Sequence, residues 1–339
     1  MSADTTLPVI DLAALESGGA EQRRRLREIT HEVGFFYLTG HGVDGGLTDD
    51  LIAAARDFFA LPEGDKRQIE NTYSPHFRGY TSIGGERTRG YVDWREQIDI
   101  GPERAAVEPI DPARPWDVLH GPNQWPQQVP RLRELALRWM DQCGAAGTRL
   151  LRAWAQSLGA PADFFDTAFA DPDPLLKIAR YPGHDGSVTD QGVGGHKDVG
   201  ALTLLYPEPG STGLQVEIDG EWADVEPIRD HFIVNIGELL EVATGGYLKA
   251  TTHRVLPPPP DGDRISMPFF LNPALDRSLP VIELAPELAA EARGVGPDAH
   301  GGKLHEIYGL NALKSRLRAH PNVTERYHRG LLDLPALRD

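Results

Sequence analysis

The sequence predicts a mixed α+β fold, in which a double-stranded β-helix (jelly-roll) core is flanked by N-terminal and C-terminal helices. Residues 174–285 contain short apolar runs at nearly even spacing, separated by turn-forming residues. Such spacing is typical of antiparallel barrels and jelly rolls. Residues 128–158 carry the longest helical pattern of the chain, and the first 60 residues alternate helical patterns with short apolar runs. Together these patterns indicate helices packed around a strand-rich core.

The N-terminal region, residues 5–120, mixes strands and helices. Thr48 is a suitable N-cap for a helix that stops before Pro62, because its hydroxyl can accept a hydrogen bond from a free amide of the first turn. Aromatic and β-branched runs predict strands. The predicted strands are Leu7–Leu12, Gly34–Leu38 and Glu96–Ile100, and the predicted helices are 21–33 and 48–59.

The supporting helix, residues 128–158, has apolar residues at intervals of three and four, which form one stripe for core packing. The stripe consists of Leu132, Ala136, Trp139, Cys143, Gly147, Leu150, Trp154 and Leu158. The core strands are predicted at Leu175–Ala179, Ala201–Tyr206, Leu214–Ile218, His231–Ile236, Thr252–Leu256, Arg264–Leu271 and Val281–Leu284. A polar C-terminal helix is predicted within 303–330. Because helices and strands share one core, we expect residues 1–339 to form a single catalytic unit.

Composition excludes several classes of protein. The chain has 34 Lys and Arg against 50 Asp and Glu, a formal net charge of −16. It therefore lacks the basic surface that general nucleic-acid or anionic-membrane binding requires. Cys143 is the single cysteine, so neither an internal disulfide nor a cysteine-based metal cluster can form. With no apolar run long enough to span a bilayer and no signal-peptide pattern, we expect a cytoplasmic location.

A metal site is predicted from two histidines and one aspartate. His196 and Asp198 lie two residues apart after a glycine-rich turn, so on a strand their side chains would share one face. His253 begins another predicted strand. Two imidazoles and one carboxylate make a facial triad, which leaves coordination positions open and suits Fe(II). A structural zinc site normally has four protein ligands instead.

A carboxylate receptor is predicted eleven residues beyond His253. Arg264 and Ser266 alternate on a strand and would share its inward face. A guanidinium binds a carboxylate through two parallel hydrogen bonds, and a hydroxyl beside it can donate a third. A buried arginine without an acidic partner needs an anionic ligand.

Taken together, these segments resemble the non-haem iron(II), 2-oxoglutarate-dependent oxygenases of the isopenicillin-N-synthase-like family. The resemblance covers nearly the whole chain, in family order and with family-like spacing between Asp198 and His253. The N-terminal segments are Leu7–Leu12, Gly34–Leu38, His41–Val43, Phe58–Pro62 and Arg78–Tyr80. The core segments are Gly195–Asp198, Gly213–Val216, Asn235–Glu238, Thr252–Val255 and Arg264–Ser266.

The resemblance implies cofactors and residue roles. It implies that His196, Asp198 and His253 hold Fe(II), and that O2 and 2-oxoglutarate are cosubstrates. Arg264 and Ser266 would bind the distal carboxylate of 2-oxoglutarate, together with Tyr181. Many relatives carry Asn two residues before this tyrosine, where this chain has Ala179. The family reaction oxidises a small-molecule substrate, most commonly by hydroxylation and also by desaturation or cyclisation, with release of succinate and CO2.

The family places substrate contacts in the variable N-terminal stretch and at the barrel mouth. Three arginines close in sequence favour an anionic or amino-acid-like small molecule as the substrate. The candidate contacts are Arg78, Tyr80, Glu86, Arg87, Trp94, Arg95 and Phe270.

Three alternatives remain at this point. The first is an iron oxidase of the same family that needs no 2-oxoglutarate, in which Arg264 and Ser266 would bind the substrate's carboxylate. That enzyme takes a glutamine near its C-terminus as a metal ligand, and this chain has no glutamine after Gln215. The second is a non-catalytic barrel that binds a small metabolite. The third is a zinc hydrolase, which would leave Arg264 and Ser266 unexplained.

Overall fold

The computed structural model describes residues 7–184, 186, 189, 191–295 and 304–337. Residues 5 and 6 of the predicted N-terminal region and residue 303 of the predicted C-terminal helix lie outside them. The described strands are β1 (Val9–Asp11), β2 (Phe35–Thr39), β3 (Gly79–Thr81), β4 (Arg87–Thr88), β5 (Tyr91–Val92), β6 (Glu96–Ile100), β7 (Leu175–Pro182), β8 (Val193–His196), β9 (Leu202–Pro207), β10 (Leu214–Ile218), β11 (Glu221–Asp224), β12 (Phe232–Ile236), β13 (His253–Val255) and β14 (Asp263–Leu271). The described α-helices are α1 (Leu12–Ser17), α2 (Gly19–Glu32), α3 (Gly45–Phe59), α4 (Glu63–Lys66), α5 (Arg131–Ser157), α6 (Glu238–Ala243), α7 (Pro286–Glu291), α8 (Tyr308–Ala319) and α9 (Pro321–Tyr327).

Two sheets form the jelly roll. The larger sheet has the strand order β1-β2-β12-β9-β14-β7-β6-β3, and the smaller has the order β11-β10-β13-β8. Pairing is antiparallel in both sheets except between β1 and β2, which run parallel. Side chains from both sheets share an inner layer that includes Tyr181, Val193, Val216, Ile233 and Val255. The predicted fold class is confirmed.

The outer face of the larger sheet is covered by helices. Trp139 of α5 is fully buried against Phe232 and Phe269, and its indole Nε1 donates to Thr48 Oγ1 at 3.1 Å. Trp154, about four turns further along α5, meets Phe36 of β2 edge to face. The prediction that this helix packs on the jelly roll through its two tryptophans is therefore confirmed. No helix among the described residues has the length and apolar character to cross a membrane.

Some predicted element boundaries were wrong. Asp44, not Thr48, caps α3, since its carboxylate accepts from the amides of Gly46 and Leu47. The predicted strand at Val281–Leu284 is an irregular segment, where the amide of Ile282 donates to the carbonyl of Ala243, the last residue of α6. Ile282 and Leu284 pack on the core without joining a sheet, and Val281 is exposed.

Short elements were also missed in prediction. The turn predicted at Gly192–Gly195 is largely strand β8, which pairs with β13. The unpredicted strands β3, β4, β5 and β11 are two to four residues long, too short for an alternating pattern to be recognised. Helix α1, six residues long, was likewise not predicted.

Candidate active site

The three predicted metal ligands converge at the end of the smaller sheet. His196 is the last residue of β8 and lies directly opposite His253, the first residue of β13. Asp198 follows in the loop after β8, not on the strand as predicted, and its Oδ1 lies 3.4 Å from His196 Nε2 and 3.8 Å from His253 Nε2. One ligand atom from each residue falls within 4.8 Å of the others. This spacing is what a single metal ion requires.

Hydrogen bonds fix which atoms of the triad face the centre. His196 Nδ1 donates to the carbonyl of Gly194 at 2.8 Å, and His253 Nδ1 donates to the carbonyl of Thr251 at 3.2 Å. Because a carbonyl only accepts, each Nδ1 carries a proton, which leaves Nε2 as the nitrogen that can bind a metal. The Asp198 Oδ2 accepts from its neighbours Thr203 and Asn235, which leaves Oδ1 directed at the two imidazoles.

Protonation states of the triad suit a divalent cation. Burial, together with the neighbouring His196, lowers the pKa of His253 to about 4, so this imidazole is neutral at pH 7. Burial alone would raise the pKa of Asp198, but His253, His196 and the hydroxyl of Thr203 outweigh it and hold the pKa well below its ordinary value. Burial alone would lower the pKa of His196, but the hydrogen bond and charge of Asp198 outweigh it and raise the pKa. A carboxylate beside two imidazoles matches the donor set of a facial triad.

Arg264 lies at the closed end of the same cavity with unused hydrogen-bond donors. It is 2% exposed and lies opposite Tyr181 in the β14/β7 register, with its guanidinium carbon 4.7 Å from the tyrosine ring centre. Nη1 donates to the carbonyl of Thr212, whereas Nε and Nη2 have no hydrogen-bond partner among the described residues. Burial lowers the pKa of this guanidinium. Ser266, 2% exposed, lies two residues further along β14. These groups fit a carboxylate ligand.

A cavity of about 390 Å³ joins the triad to Arg264 and is also lined by residues of the N-terminal region and α8. Five of the seven predicted substrate contacts line it: Arg78, Glu86, Arg87, Arg95 and Phe270. Tyr80 and Trp94 do not. The Tyr80 hydroxyl donates to Glu96 at 2.7 Å in a separate buried cluster, and the Trp94 ring stacks on His184 at 4.1 Å.

A buried network of charges forms the wall of the cavity beside the triad. Glu86 accepts from Arg95 at 2.6 Å and from Lys177 at 2.8 Å, and Lys177 also lies 3.0 Å from Asp99. Burial alone would raise the pKa of Glu86, but the charges of Arg95 and Lys177 outweigh it and keep the pKa well below its ordinary value. Arg316 of α8 lies 3.3 Å from Asp99 and ties the C-terminal helix to this wall.

Several cavity residues were not predicted from the sequence. They include Asp173, Lys177, Tyr308, Asn311 and Arg316. Lys177 has a recognisable signal, because it alternates with Ala179 and Tyr181 on one face of β7. The α8 residues have none, since only the folded chain brings this helix to the cavity.

Two family models match the chain over most of its length. A model described as "non-haem dioxygenase in morphine synthesis N-terminal" matches residues 7–128, and the 2OG-Fe(II) oxygenase superfamily model matches residues 172–273. The chain belongs to the 2OG-Fe(II) oxygenase superfamily. The predicted family is confirmed, and this oxygenase depends on Fe(II), 2-oxoglutarate and O2.

Individual relatives agree with this assignment. The oxygenase is 34% identical to the 2-oxoglutarate-dependent dioxygenase frbJ of Dothideomycetidae sp. (strain 11243), covering 96% of this chain and 93% of the relative. It is 31% identical to a homoarginine-6-hydroxylase of Arabidopsis thaliana, covering 85% and 91%. The solved structure of JOX2 in complex with 2OG, Fe and JA superposes with a TM-score of 0.72 at 27% identity, covering 96% and 90%.

These matches choose among the functions that the sequence left open. The oxygenase is a 2-oxoglutarate-dependent dioxygenase that acts on a small molecule. The matches therefore favour it over the 2-oxoglutarate-independent oxidase, the non-catalytic barrel and the zinc hydrolase.

Proposed function

We propose that His196, Asp198 and His253 hold the Fe(II), and that Arg264, Ser266 and Tyr181 bind the distal carboxylate of 2-oxoglutarate. The observation that carries this proposal is Arg264, a buried cation with two donor nitrogens that no described residue uses, in the cavity that the triad lines. A desolvated guanidinium in this state needs an anion. The distal carboxylate of a 2-oxo diacid supplies this anion. The 2-oxo acid group at the other end of the same molecule is then free to reach the metal.

In the proposed reaction the enzyme hydroxylates a C–H bond. The substrate R–H, 2-oxoglutarate and O2 become R–OH, succinate and CO2, so that one oxygen atom enters the product and the other enters succinate. The bound metal supplies the oxygen-activating chemistry. The chain would hold the metal through His196, Asp198 and His253, keeps the buried His253 imidazole neutral and excludes water from the buried end of the cavity. The hydroxylases among its relatives support this outcome over desaturation or cyclisation.

The test of the site uses anaerobic titration of Fe(II), with and without 2-oxoglutarate, followed by succinate measurement after O2 is admitted. We expect His253→Ala to lose metal binding and turnover, because three ligands leave no spare. The matched control is His231→Ala, a histidine that does not line the cavity. The assignment would be overturned by a His253→Ala variant that binds Fe(II) with unchanged affinity.

The cavity also indicates the charge of the substrate. Although the chain carries −16, its described cavity lining holds ten Lys and Arg residues against four Asp and Glu residues. The basic residues are Arg78, Arg87, Arg89, Arg95, Lys177, Lys197, Arg264, Lys314, Arg316 and Arg318; the acidic residues are Glu86, Asp173, Asp198 and Glu238. A locally positive cavity in an acidic protein favours an anionic substrate.

Arg78 is the cation best placed to receive a substrate carboxylate. It is 4% exposed, and its Nη2 donates to the carbonyl of Leu119 at a long 3.3 Å. Its Nε has no hydrogen-bond partner and no carboxylate lies within 4.0 Å of it among the described residues. Asp173, also buried in the cavity wall, is the carboxylate that acts most strongly on Arg78. An anion receptor beside an acidic group matches an amino acid, with the carboxylate on Arg78 and the ammonium group near Asp173.

The substrate proposal is tested with matched ligands. Homoarginine, arginine and lysine are each compared with their amides, which lack the carboxylate, and with their N-acetyl derivatives, which lack the ammonium group. We expect succinate formation to be stimulated by a free amino acid and not by its amide, and Arg78→Met to raise the KM for it. Arg114→Met, on the surface, is the control. Equal stimulation by acid and amide would contradict the assignment of Arg78.

A further inference from the structure

Arg95, just before β6, connects the substrate side of the cavity with the cosubstrate side. It is 8% exposed. Its Nη2 lies 2.6 Å from Glu86 Oε2, and its Nη1 donates to the hydroxyl of Tyr181 at 3.3 Å. Its Nε is buried with no hydrogen-bond partner among the described residues. One guanidinium thus reaches both a cavity-wall carboxylate and the tyrosine that faces Arg264.

The chemistry of this contact fixes the direction of the Tyr181 hydroxyl. A guanidinium has donors and no acceptor, so the phenol oxygen must accept from Arg95 and its own hydrogen must point elsewhere. Arg264, on the ring face, is also a donor only and cannot receive that hydrogen. The described residues supply no other hydrogen-bond partner for the Tyr181 hydroxyl. The hydrogen is therefore available to an acceptor that enters the cavity.

The positive charges around Tyr181 also favour a ligand that carries a hydrogen-bond acceptor and a negative charge. Two guanidinium groups, Arg95 and Arg264, flank the phenol of Tyr181. Arg95 is balanced by Glu86, whereas Arg264 has no carboxylate within 4.0 Å among the described residues. An incoming carboxylate would pair with Arg264 and accept the hydrogen of Tyr181 at once. Tyr181 is also the only residue of β7 with a hydroxyl side chain.

We propose that Arg95 is a positioning residue for 2-oxoglutarate: by donating to the Tyr181 oxygen, it turns the hydroxyl hydrogen toward the distal carboxylate of the cosubstrate. This inference rests on the proposed placement of 2-oxoglutarate at Arg264. It gives Arg95 a role that does not require contact with the substrate. The role therefore persists when no substrate is present.

The test is a double-mutant cycle on 2-oxoglutarate affinity, measured by calorimetry in Mn(II)-loaded protein without substrate. We expect Arg95→Met and Tyr181→Phe each to weaken 2-oxoglutarate roughly tenfold, the range for one hydrogen bond to a charged group. The double variant should be little worse than Tyr181→Phe, because Arg95 acts on the cosubstrate only through the Tyr181 hydroxyl. Arg180→Met is the matched control, since it removes a guanidinium that pairs with Glu96 and Asp263 and does not line the cavity. It should stay within about twofold of wild type.

Two measurements separate this role from a structural one. Mn(II) affinity should be unchanged in Arg95→Met, but its melting temperature should fall, because the buried Glu86 loses one of its two cations. Arg95→Lys keeps a charge beside Glu86 but cannot also reach Tyr181, so it should keep the melting temperature and still weaken 2-oxoglutarate. Equal losses in the wild-type and Tyr181→Phe backgrounds, or no loss at all, would overturn the inference. Arg264→Met distinguishes the two proposals. If Arg95→Met and Arg264→Met both bind 2-oxoglutarate like wild type, the proposed cosubstrate site is wrong. If Arg264→Met loses affinity and Arg95→Met does not, only the role of Arg95 is wrong.

Discussion

At the scale of single residues, the buried cations of the cavity divide into two groups. Lys177 and Arg95 are held by carboxylates at 3.0 Å or less, so their charges are already neutralised by the chain. Arg264 and Arg78 are equally buried but have no carboxylate within 4.0 Å among the described residues. Burial without a partner costs free energy, which a ligand carboxylate can recover. The unpaired cations are therefore the sites at which we propose that ligands bind.

The first prediction concerns the fork of Arg264. Arg264→Lys keeps the charge but loses the two parallel donors, so we expect 2-oxoglutarate affinity to fall roughly 10- to 100-fold, with Arg264→Ala weaker still. Calorimetry on the Mn(II)-loaded protein measures this. The neighbouring Arg180→Lys, whose guanidinium pairs with Asp263 and Glu96 outside the cavity, is the control. Unchanged affinity in Arg264→Lys would contradict the cosubstrate assignment.

Residue-scale prediction was most accurate where the residues are close in sequence. Arg264 and Ser266 alternate on β14, so their shared face could be predicted before any fold was known. The closeness of His196 and Asp198 was also predicted, but Asp198 reaches the histidine from the loop after β8 and not from a strand. Tyr80 and Trp94 lie in the same stretch of sequence as the cavity residues Arg78 and Arg95. Their rings nevertheless pack against Phe58 and His184, away from the cavity. Which side of an irregular segment faces a cavity depends on contacts distant in sequence.

At the scale of elements, buried polar groups hold the C-terminal end of helix α8 to β6 and to the segments around Asn71 and Glu86. His320, at its C-terminal end, is 0% exposed and lies 3.6 Å from Glu86 and 3.9 Å from Asp99. Asn71 Nδ2 faces its Nδ1 at 3.3 Å. Lys177 and Arg316 add positive charge nearby, which opposes protonation. The C-terminal helix thus closes the cavity through groups whose charge depends on pH.

The second prediction is a pH-dependent stability caused by His320. Burial lowers its pKa to about 4, below the value of about 6.5 in the unfolded chain. The unfolded state therefore binds more protons between these values, and stability falls as the pH drops from about 7 toward 4. His320 should account for about 2 kcal/mol of the loss between pH 7 and pH 5. Denaturant unfolding of the metal-free protein at both pH values should show a smaller loss in His320→Gln. An identical pH dependence would contradict this assignment.

The third prediction concerns the contact between α5 and the larger sheet. A Cβ at Gly144 would meet Phe269 at an ordinary 3.9 Å, whereas a Cβ at Gly147 would lie 2.7 Å from Leu271 Cδ2 in the core. Ala is favoured over Gly within a helix by about 1 kcal/mol. Gly144→Ala should therefore stabilise the protein, while overpacking at Gly147→Ala should cost about 1–3 kcal/mol and cancel that gain. The measurement is the free energy of unfolding in denaturant, and equal stabilisation by both would show that Leu271 repacks freely.

Element prediction depended on length and on partners. Helix α5 and strand β10 could be predicted because each has a full apolar pattern. Val281–Leu284 is as apolar as a strand, but no strand of the described chain pairs with it. Pairing is a property of the sheet and not of the segment, so its absence could not be read from those four residues.

At the scale of the whole molecule, a ligand in the cavity would contact elements that are distant in sequence. The cavity is lined by the N-terminal region, both sheets and α8, which are distant in sequence. A ligand that binds only the folded arrangement stabilises all of them together. The whole chain carries a net charge of −16, whereas the residues that line the cavity carry a net positive charge. Composition gives the first value, but the second depends on which residues the fold brings together.

The fourth prediction follows from this linkage. Mn(II) at about 100 times its dissociation constant should add about 2.7 kcal/mol to the free energy of unfolding, with a further gain from 2-oxoglutarate. Thermal unfolding should show this as a rise of several degrees in the melting temperature. His253→Ala should show no such rise with Mn(II), and His231→Ala should respond like wild type. A metal-induced rise that persists in His253→Ala would indicate a different metal site.

The pairing of His196 with His253 has a consequence for how the chain folds. Strand β13 has three residues, and its register with β8 is irregular between His253 and Val255. Side chains alternate along a strand, so a slip by one residue would turn His253 away from His196. An ion held by both imidazoles stabilises one alignment of these strands and none of the slipped ones. Metal binding at these residues would therefore favour the native register of β8 and β13 during folding. Metal uptake would then indicate that these two strands, which are distant in sequence, have paired correctly.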